Sequence, residues 1–265
     1  MPRINLSKAL REEYQRLFDT CIILDNKGAG VEAILSKIEE NQDRYVAVEE
    51  DLGIPWYFVA VIHDMESSLN FNGHLHNGDP LTDTTLHVPA GRPKKGNPPF
   101  TWEESATDAL RFKRLHNWKD WSLPGMLYKL EDYNGWGYRL YHPHVLSPYL
   151  WSYSNHYVSG KYVADGRWSE TAVSRQAGAA VLLRRMAEKG SIQFVEPSPI
   201  DLGEPVPLLR YSSDEKSIAA EELQKFLNRF PAIYVKVDGY PGEKTSEAFK
   251  KITGYYLHGD PRTEV

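Results

Sequence analysis

Residues 54–88, IPWYFVAVIHDMESSLNFNGHLHNGDPLTDTTLHV, gather the groups of this chain best suited to acid–base chemistry. An apolar run from Ile54 to Ile62 passes directly into His63, Asp64 and Glu66, and a polar stretch with His74, His76, Asp79, Asp83 and His87 follows. Pro55 suits the first turn of a helix. Trp56, Val59, Ala60 and His63 then share one helical stripe, flanked by Tyr57, Val61 and Met65. A helix that apolar is expected to be buried, which sets Glu66 where a buried helix opens into a loop. Burial raises the pKa of a carboxyl group, and a carboxylic acid that keeps its proton is what general-acid catalysis needs. Glu66 is therefore the candidate acid.

Cleavage of a glycosidic bond uses such an acid to protonate the leaving oxygen, commonly with a second carboxylate for a water or as nucleophile. Asp79 and Asp83 follow Glu66 past a flexible turn, where a hairpin would bring either across a cleft. Thr82, Thr84 and Thr85 add hydroxyls that would position a water. The competing chemistry is metal binding. His74-Leu-His76, with His63, Asp79 and His87 nearby, offers zinc ligands, but there is no H-E-x-x-H, and Gly73 and Asn77 favour a loop over a strand. No metal and no cofactor are expected; a zinc peptidase or amidase built on His74 and His76 is the alternative. His142-Pro-His144 is a weaker pair of the same kind. The single Cys21 cannot form an internal disulfide, and its apolar CIIL setting is that of a buried thiol rather than an activated nucleophile.

The elements around this stretch read mainly as helices. Leu6, Leu10, Tyr14, Leu17 and Phe18 give a helix over 6–19, and Val31, Ile34, Leu35 and Ile38 give a second after a turn at 26–30. A shorter piece covers 44–51. Glycines and prolines break residues 67–100 into a loop or small hairpin, with a short strand at 82–88. Thr101-Trp-Glu-Glu104 is a capping box that starts a helix to about His116, and a short helix follows over 126–132. Residues 138–168 are aromatic and irregular, and Ser169 is expected to cap a long helix to about Lys189. Four prolines between 197 and 207 mark a stiff linker. Beyond it, helices are expected at 218–229 and 245–252, with Thr245 capping the latter.

Composition excludes several classes. The 265 residues are 41% hydrophobic and 25% charged, with a net charge of -5, so no global charge argues for nucleic acid or an anionic membrane surface. No apolar run reaches the ~20 residues of a membrane span. The N-terminal MPRINLSKALREEY lacks the apolar core of a Sec signal peptide.

Glu66-Ser67-Ser68, followed by Leu69-Asn-Phe71, resembles the catalytic signature of the lysozyme superfamily, in particular its goose-type and soluble lytic transglycosylase branch. A second motif, Glu131-Asp-Tyr-Asn-Gly135, is similar to the Tyr-Asn-Ala-Gly signature that lies across the cleft in lytic transglycosylases; Gly135 stands where that family has Ala. The run from Ile62 to Pro99 also resembles endolysin-like proteins of phages and bacteria. The resemblance implies a mainly α (α+β lysozyme-like) fold: a helical catalytic domain with a small hairpin or loop lobe. It implies cleavage of the β-1,4 bond between N-acetylmuramic acid and N-acetylglucosamine, with Glu66 as the acid. Asp79, or else Asp83, is the second carboxylate, unless the enzyme is a transglycosylase, which needs neither. Ser67, Tyr133, Asn134 and Trp136 would hold the glycan.

Glu222-Leu-Gln224, Phe226-Leu-Asn228, Val237-Asp-Gly-Tyr-Pro-Gly242 and Thr245 resemble the small helical peptidoglycan-binding domain. The expected organisation is a catalytic domain over 1–195, a Pro-rich linker over 196–212 and a wall-binding helical domain over 213–265. The implied partner is the glycan strand of peptidoglycan, met by a monomer. An endolysin of this kind would wait in the host cytoplasm until release. Other readings are a chitinase or chitosanase on the same fold, and a wall-binding protein without catalysis.

Overall fold

The computed structural model describes residues 4–164, 166–195 and 209–263, which fall into two compact units, one before and one after the Pro-rich stretch. Among the described residues there are eleven α-helices and one two-stranded sheet, a mainly α fold. No helix among them is long and apolar enough to cross a membrane.

The first unit is built around α4, Trp56–Ser67, whose residues from Tyr57 to Asp64 are all buried. An element that apolar on every side needs partners all round. On it pack α3 (Gln42–Leu52) and α9 (Ala179–Glu188); α5 (Trp102–Phe112) lies on α3, α2 (Gly28–Glu40) touches α9, and α8 (Pro148–Trp151) bridges α9 and α6 (Leu123–Asn134), against which α1 (Lys8–Asp19) rests. A short α7, Gly137–Tyr141, follows α6. Local signals set the ends. Ser7 accepts from the Leu10 amide to start α1, Thr101 and Glu104 form the reciprocal capping box of α5, and Ser122 caps α6 ahead of Pro124.

Three expectations for the first unit are corrected. The strand at 82–88 does not form; the loop there has only an isolated bridge between Gly73 and Pro80. The hairpin appears instead at β1 (Lys161–Ala164) and β2 (Arg167–Ser169), antiparallel, with Lys161 opposite Ser169 and Tyr162 opposite Trp168. The helix expected from Ser169 begins only at Ala179. The intervening residues are captured by tertiary bonds: Gly160 N–H donates to Ala172 O at 2.9 Å, and Ser174 N–H to the Tyr157 hydroxyl at 3.2 Å. Gly178 then docks under Leu150, where any Cβ would stand 2.2 Å from the Leu150 carbonyl oxygen.

The second unit holds α10 (Ile218–Leu227) and α11 (Glu243–Thr253) around Leu227, Val235 and Ala248. Gln224 pins the turn between them. Its Oε1 accepts from the Asp238 and Gly239 amides, and its Nε2 donates to Asp238, to Tyr240 O and to Thr245 Oγ1. Thr245 is not the cap; Gly242 is, and the Thr245 hydroxyl donates to Tyr240 O. Arg210 bridges to His258, and Ser212 N–H donates to Pro241 O, so residues 210–212 belong to this unit. Residues 196–208 of the expected linker lie outside the described residues.

Candidate active site

The end of α4 is an unusual piece of backbone. Ser68 and Leu69, directly after the helix, both take left-handed conformations, with φ of 53° and 60°. Such torsions are costly for residues with a Cβ and persist where the surroundings enforce them. The enforcement is visible. The amides of Ser68 and Leu69 donate back to Asp64 O and His63 O. From the segment before α9, Gln176 Nε2 donates to Asp64 O at 3.1 Å and Met65 O at 2.9 Å. Carbonyls that a helix end leaves orphaned are thus covered, and the backbone under Glu66 is fixed.

Glu66 Oε1 accepts a hydrogen bond from the Tyr149 hydroxyl at 3.0 Å. Burial raises its carboxyl pKa; the Tyr149 bond and the Lys113 charge pull it partly back. The residue keeps solvent access, which tempers the rise. Lys113 Nζ lies 4.6 Å from the centre of the Tyr133 ring, and both residues are close enough to Glu66 to interact with its charge. Burial and the neighbouring Glu66 carboxylate hold the Tyr133 and Tyr149 hydroxyls well above the ordinary phenol range, so both stay donors. A cavity of about 320 Å³ opens beside them, lined among others by Asn134, Tyr138, Tyr149, Tyr162 and Gln176.

Of the residues singled out in the sequence, Glu66 and Tyr133 lie close enough to interact electrostatically, and Asn134 lines the cavity with Tyr149. Trp136 does not face the cavity: it is 6% exposed, packs on Tyr128 and donates its indole N–H to Asp132. Ser67 spends its hydroxyl on His63 O within the helix. Asp79 builds its loop. Its carboxylate accepts from Asn77 Nδ2, from the amides of Leu86 and His87, and from His87 Nδ1, which together hold its pKa far below the usual carboxylate range. Asp83 is exposed, and its Oδ1 accepts from the Thr84 amide.

The histidines are structural as well. His74 Nε2 donates to Asp83 O, which leaves its Nδ1 to accept from Ser105 Oγ, while His76 pairs with Asp108. His63 is fully buried among Tyr45, Phe71 and Trp102, and burial lowers its pKa to about 4, so it is neutral at pH 7. Among the described residues, the three ligand-type side chains close enough to share an ion are His142, His144 and Glu170, away from His74 and His76. The zinc alternative therefore has no ligand set at its proposed place.

Tyr149, Lys113 and Gln176 escape sequence reasoning. Tyr149 is one of many aromatics between 138 and 168, and nothing in its local pattern distinguishes it. No family model, curated protein or solved structure matches the chain.

Proposed function

We propose that the first unit is a peptidoglycan glycosidase, a muramidase or lytic transglycosylase, in which Glu66 protonates the glycosidic oxygen between N-acetylmuramic acid and N-acetylglucosamine. One observation carries the reading: the carboxyl group with the raised pKa sits at the enforced end of a buried helix and is bonded to Tyr149, which itself lines a cavity with other tyrosines and Asn134. Tyrosine rings suit the C–H faces of sugars, and Asn134 offers both a donor and an acceptor. Goose-type and transglycosylase motifs resembling Glu66-Ser67 and Tyr133-Asn134 point the same way. The four bonds that Asp79 accepts within its loop favour the route with one protein carboxyl, in which the substrate's own N-acetyl or 6-hydroxyl group completes the reaction. The second unit, with its resemblance to wall-binding modules, would hold the enzyme on the sacculus. An endolysin released at lysis fits this assignment, acting on glycan strands without a cofactor.

Mass spectrometry of purified peptidoglycan digested by wild type and by Glu66→Gln tests the proposal. Soluble muropeptides from wild type and a loss of about 10²–10⁴-fold in the variant are expected, the usual worth of a general acid. Equal release by both proteins removes Glu66 from the mechanism, and released peptides without cleaved glycan exclude a glycosidase. Anhydro-sugar ends would identify the transglycosylase route.

A further inference from the structure

A second cavity, of about 550 Å³, adjoins the first: both are lined by Met65, Lys161, Ser174 and Gln176. They form one trough along the end of α4, and its two halves differ in chemistry. The half that holds Tyr149, the partner of Glu66, presents tyrosines and amides besides the shared Lys161. The other adds Lys37 and Arg175 to the shared Lys161, together with Asp64 and Ser68. Among the described residues no carboxylate lies within ion-pairing distance of Lys161 or Arg175, and Lys37 has Asp64 as its acidic neighbour. Three cations around one cavity stand out in a chain of net charge -5. Three cations against the one carboxylate of Asp64 leave these walls net positive, and low-dielectric walls concentrate that field on whatever enters.

We infer that this half of the trough is a carboxylate subsite, in which Lys37, Lys161 and Arg175 receive the acidic substituent of the muramyl residue while its sugar backbone lies beside Glu66. The inference rests on the glycosidase reading and sharpens it into a substrate preference. A chitin-type glycan carries no charge and gains nothing from the three cations. A muramyl residue carries a lactyl ether that ends in a carboxylate or continues into a stem peptide with its own carboxylates. Both sources offer the same chemistry, a carboxylate some bonds away from the sugar ring. Gln176 commits its Nε2 to the helix end. Its Oε1 is then the part of the amide left to accept from a ligand N–H.

The test measures binding on a Glu66→Gln background, so it does not depend on turnover. Calorimetry with the full chain compares three probes: soluble glycan fragments with stem peptides, fragments stripped to the lactyl carboxylate by an amidase, and the N-acetylglucosamine hexamer. Lys37→Met and Arg175→Met, which line only this half, should each weaken a carboxylate-bearing probe about tenfold, the worth of one charge-assisted hydrogen bond, and leave the hexamer unchanged. If only the peptide-bearing probe responds, the stem supplies the carboxylate; if both respond, the lactyl group does. Raising NaCl from 50 to 500 mM on the unsubstituted trough gives a second readout that needs no folded variant. The charged probes should weaken and the hexamer should not. Equal affinity for all probes, or salt-independent binding of the charged ones, overturns the subsite. Wild type that binds the charged probes selectively yet cleaves no glycan overturns the glycosidase reading and leaves the subsite standing.

Discussion

Asp64 offers a quantitative test of the electrostatics at the end of α4. It is 6% exposed, and its Oδ2 has no hydrogen-bond partner among the described residues. Burial lifts its pKa from 3.8 to about 6, against the weaker pull of Lys37. The folded protein thus holds this proton more tightly than the unfolded chain does. Between those two values the folded state binds more protons, so stability falls as pH rises through the window and is level above it. The full rise corresponds to ~3 kcal/mol, and access from the trough reduces it to about 2. Asp64→Asn removes the titration. The variant should be more stable than wild type by about 2 kcal/mol at pH 7 and should match it near pH ~3.5. All seven tryptophans lie between Trp56 and Trp168, so denaturant unfolding followed by tryptophan fluorescence reports the first unit alone. A stability gap that is the same at both pH values, or a variant less stable at neutral pH, would refute the picture of a buried, poorly paired carboxylate.

Other predictions follow from the same geometry. Tyr149→Phe removes a bond that favours ionised Glu66, so the alkaline limb of the pH–activity profile should move to higher pH; a limb that stays in place or moves down removes Tyr149 from the acid's environment. Asp79→Asn should lower the thermal midpoint at neutral pH, with the difference shrinking as acid protonates the wild-type carboxylate. It should also keep kcat on peptidoglycan, and a loss comparable with that of Glu66→Gln would restore Asp79 as a reacting group. Gly178→Ala forces a methyl group onto the Leu150 carbonyl and should destabilise the first unit by about 3 kcal/mol or more, read from the same fluorescence transition.

Much of the scaffold is legible in the sequence because it is local. The capping box at Thr101–Glu104 and the all-apolar face of α4 follow from nearest-neighbour chemistry. What failed depends on distant partners. The segment before α9 carries a plausible cap at Ser169, yet Tyr157, Gly160 and Leu150 claim its backbone first. The same division runs through the site. Glu66 is found from the edge of the apolar run, and Tyr133 and Asn134 from their motif. Tyr149, 83 residues from Glu66, reaches it only through the packing of α8 on α6 and α9. Trp136 misleads because a tryptophan after a helix stop suits a groove wall as well as a core, and only its contact with Tyr128 and its bond to Asp132 decide.

The distribution of strain argues for where the chemistry lies. Within six residues α4 and its exit combine a buried carboxyl lacking a full set of partners, a second carboxyl with a raised pKa, and two consecutive left-handed residues. Each is unfavourable by itself, and a helix could end more cheaply with a glycine, as α3 does at Gly53. Features of this kind survive together where surrounding structure over-determines them, and Gln176 from across the trough supplies that constraint. The acid-rich loop after the helix shows the opposite economy. Asp79, His74 and His76 have their principal polar atoms paired within the protein, which is how residues look when they serve the fold. Local unfavourability without local compensation is expected at sites kept for activity rather than stability. On that criterion the helix end at Glu66, rather than the loop, is where the proposed chemistry belongs.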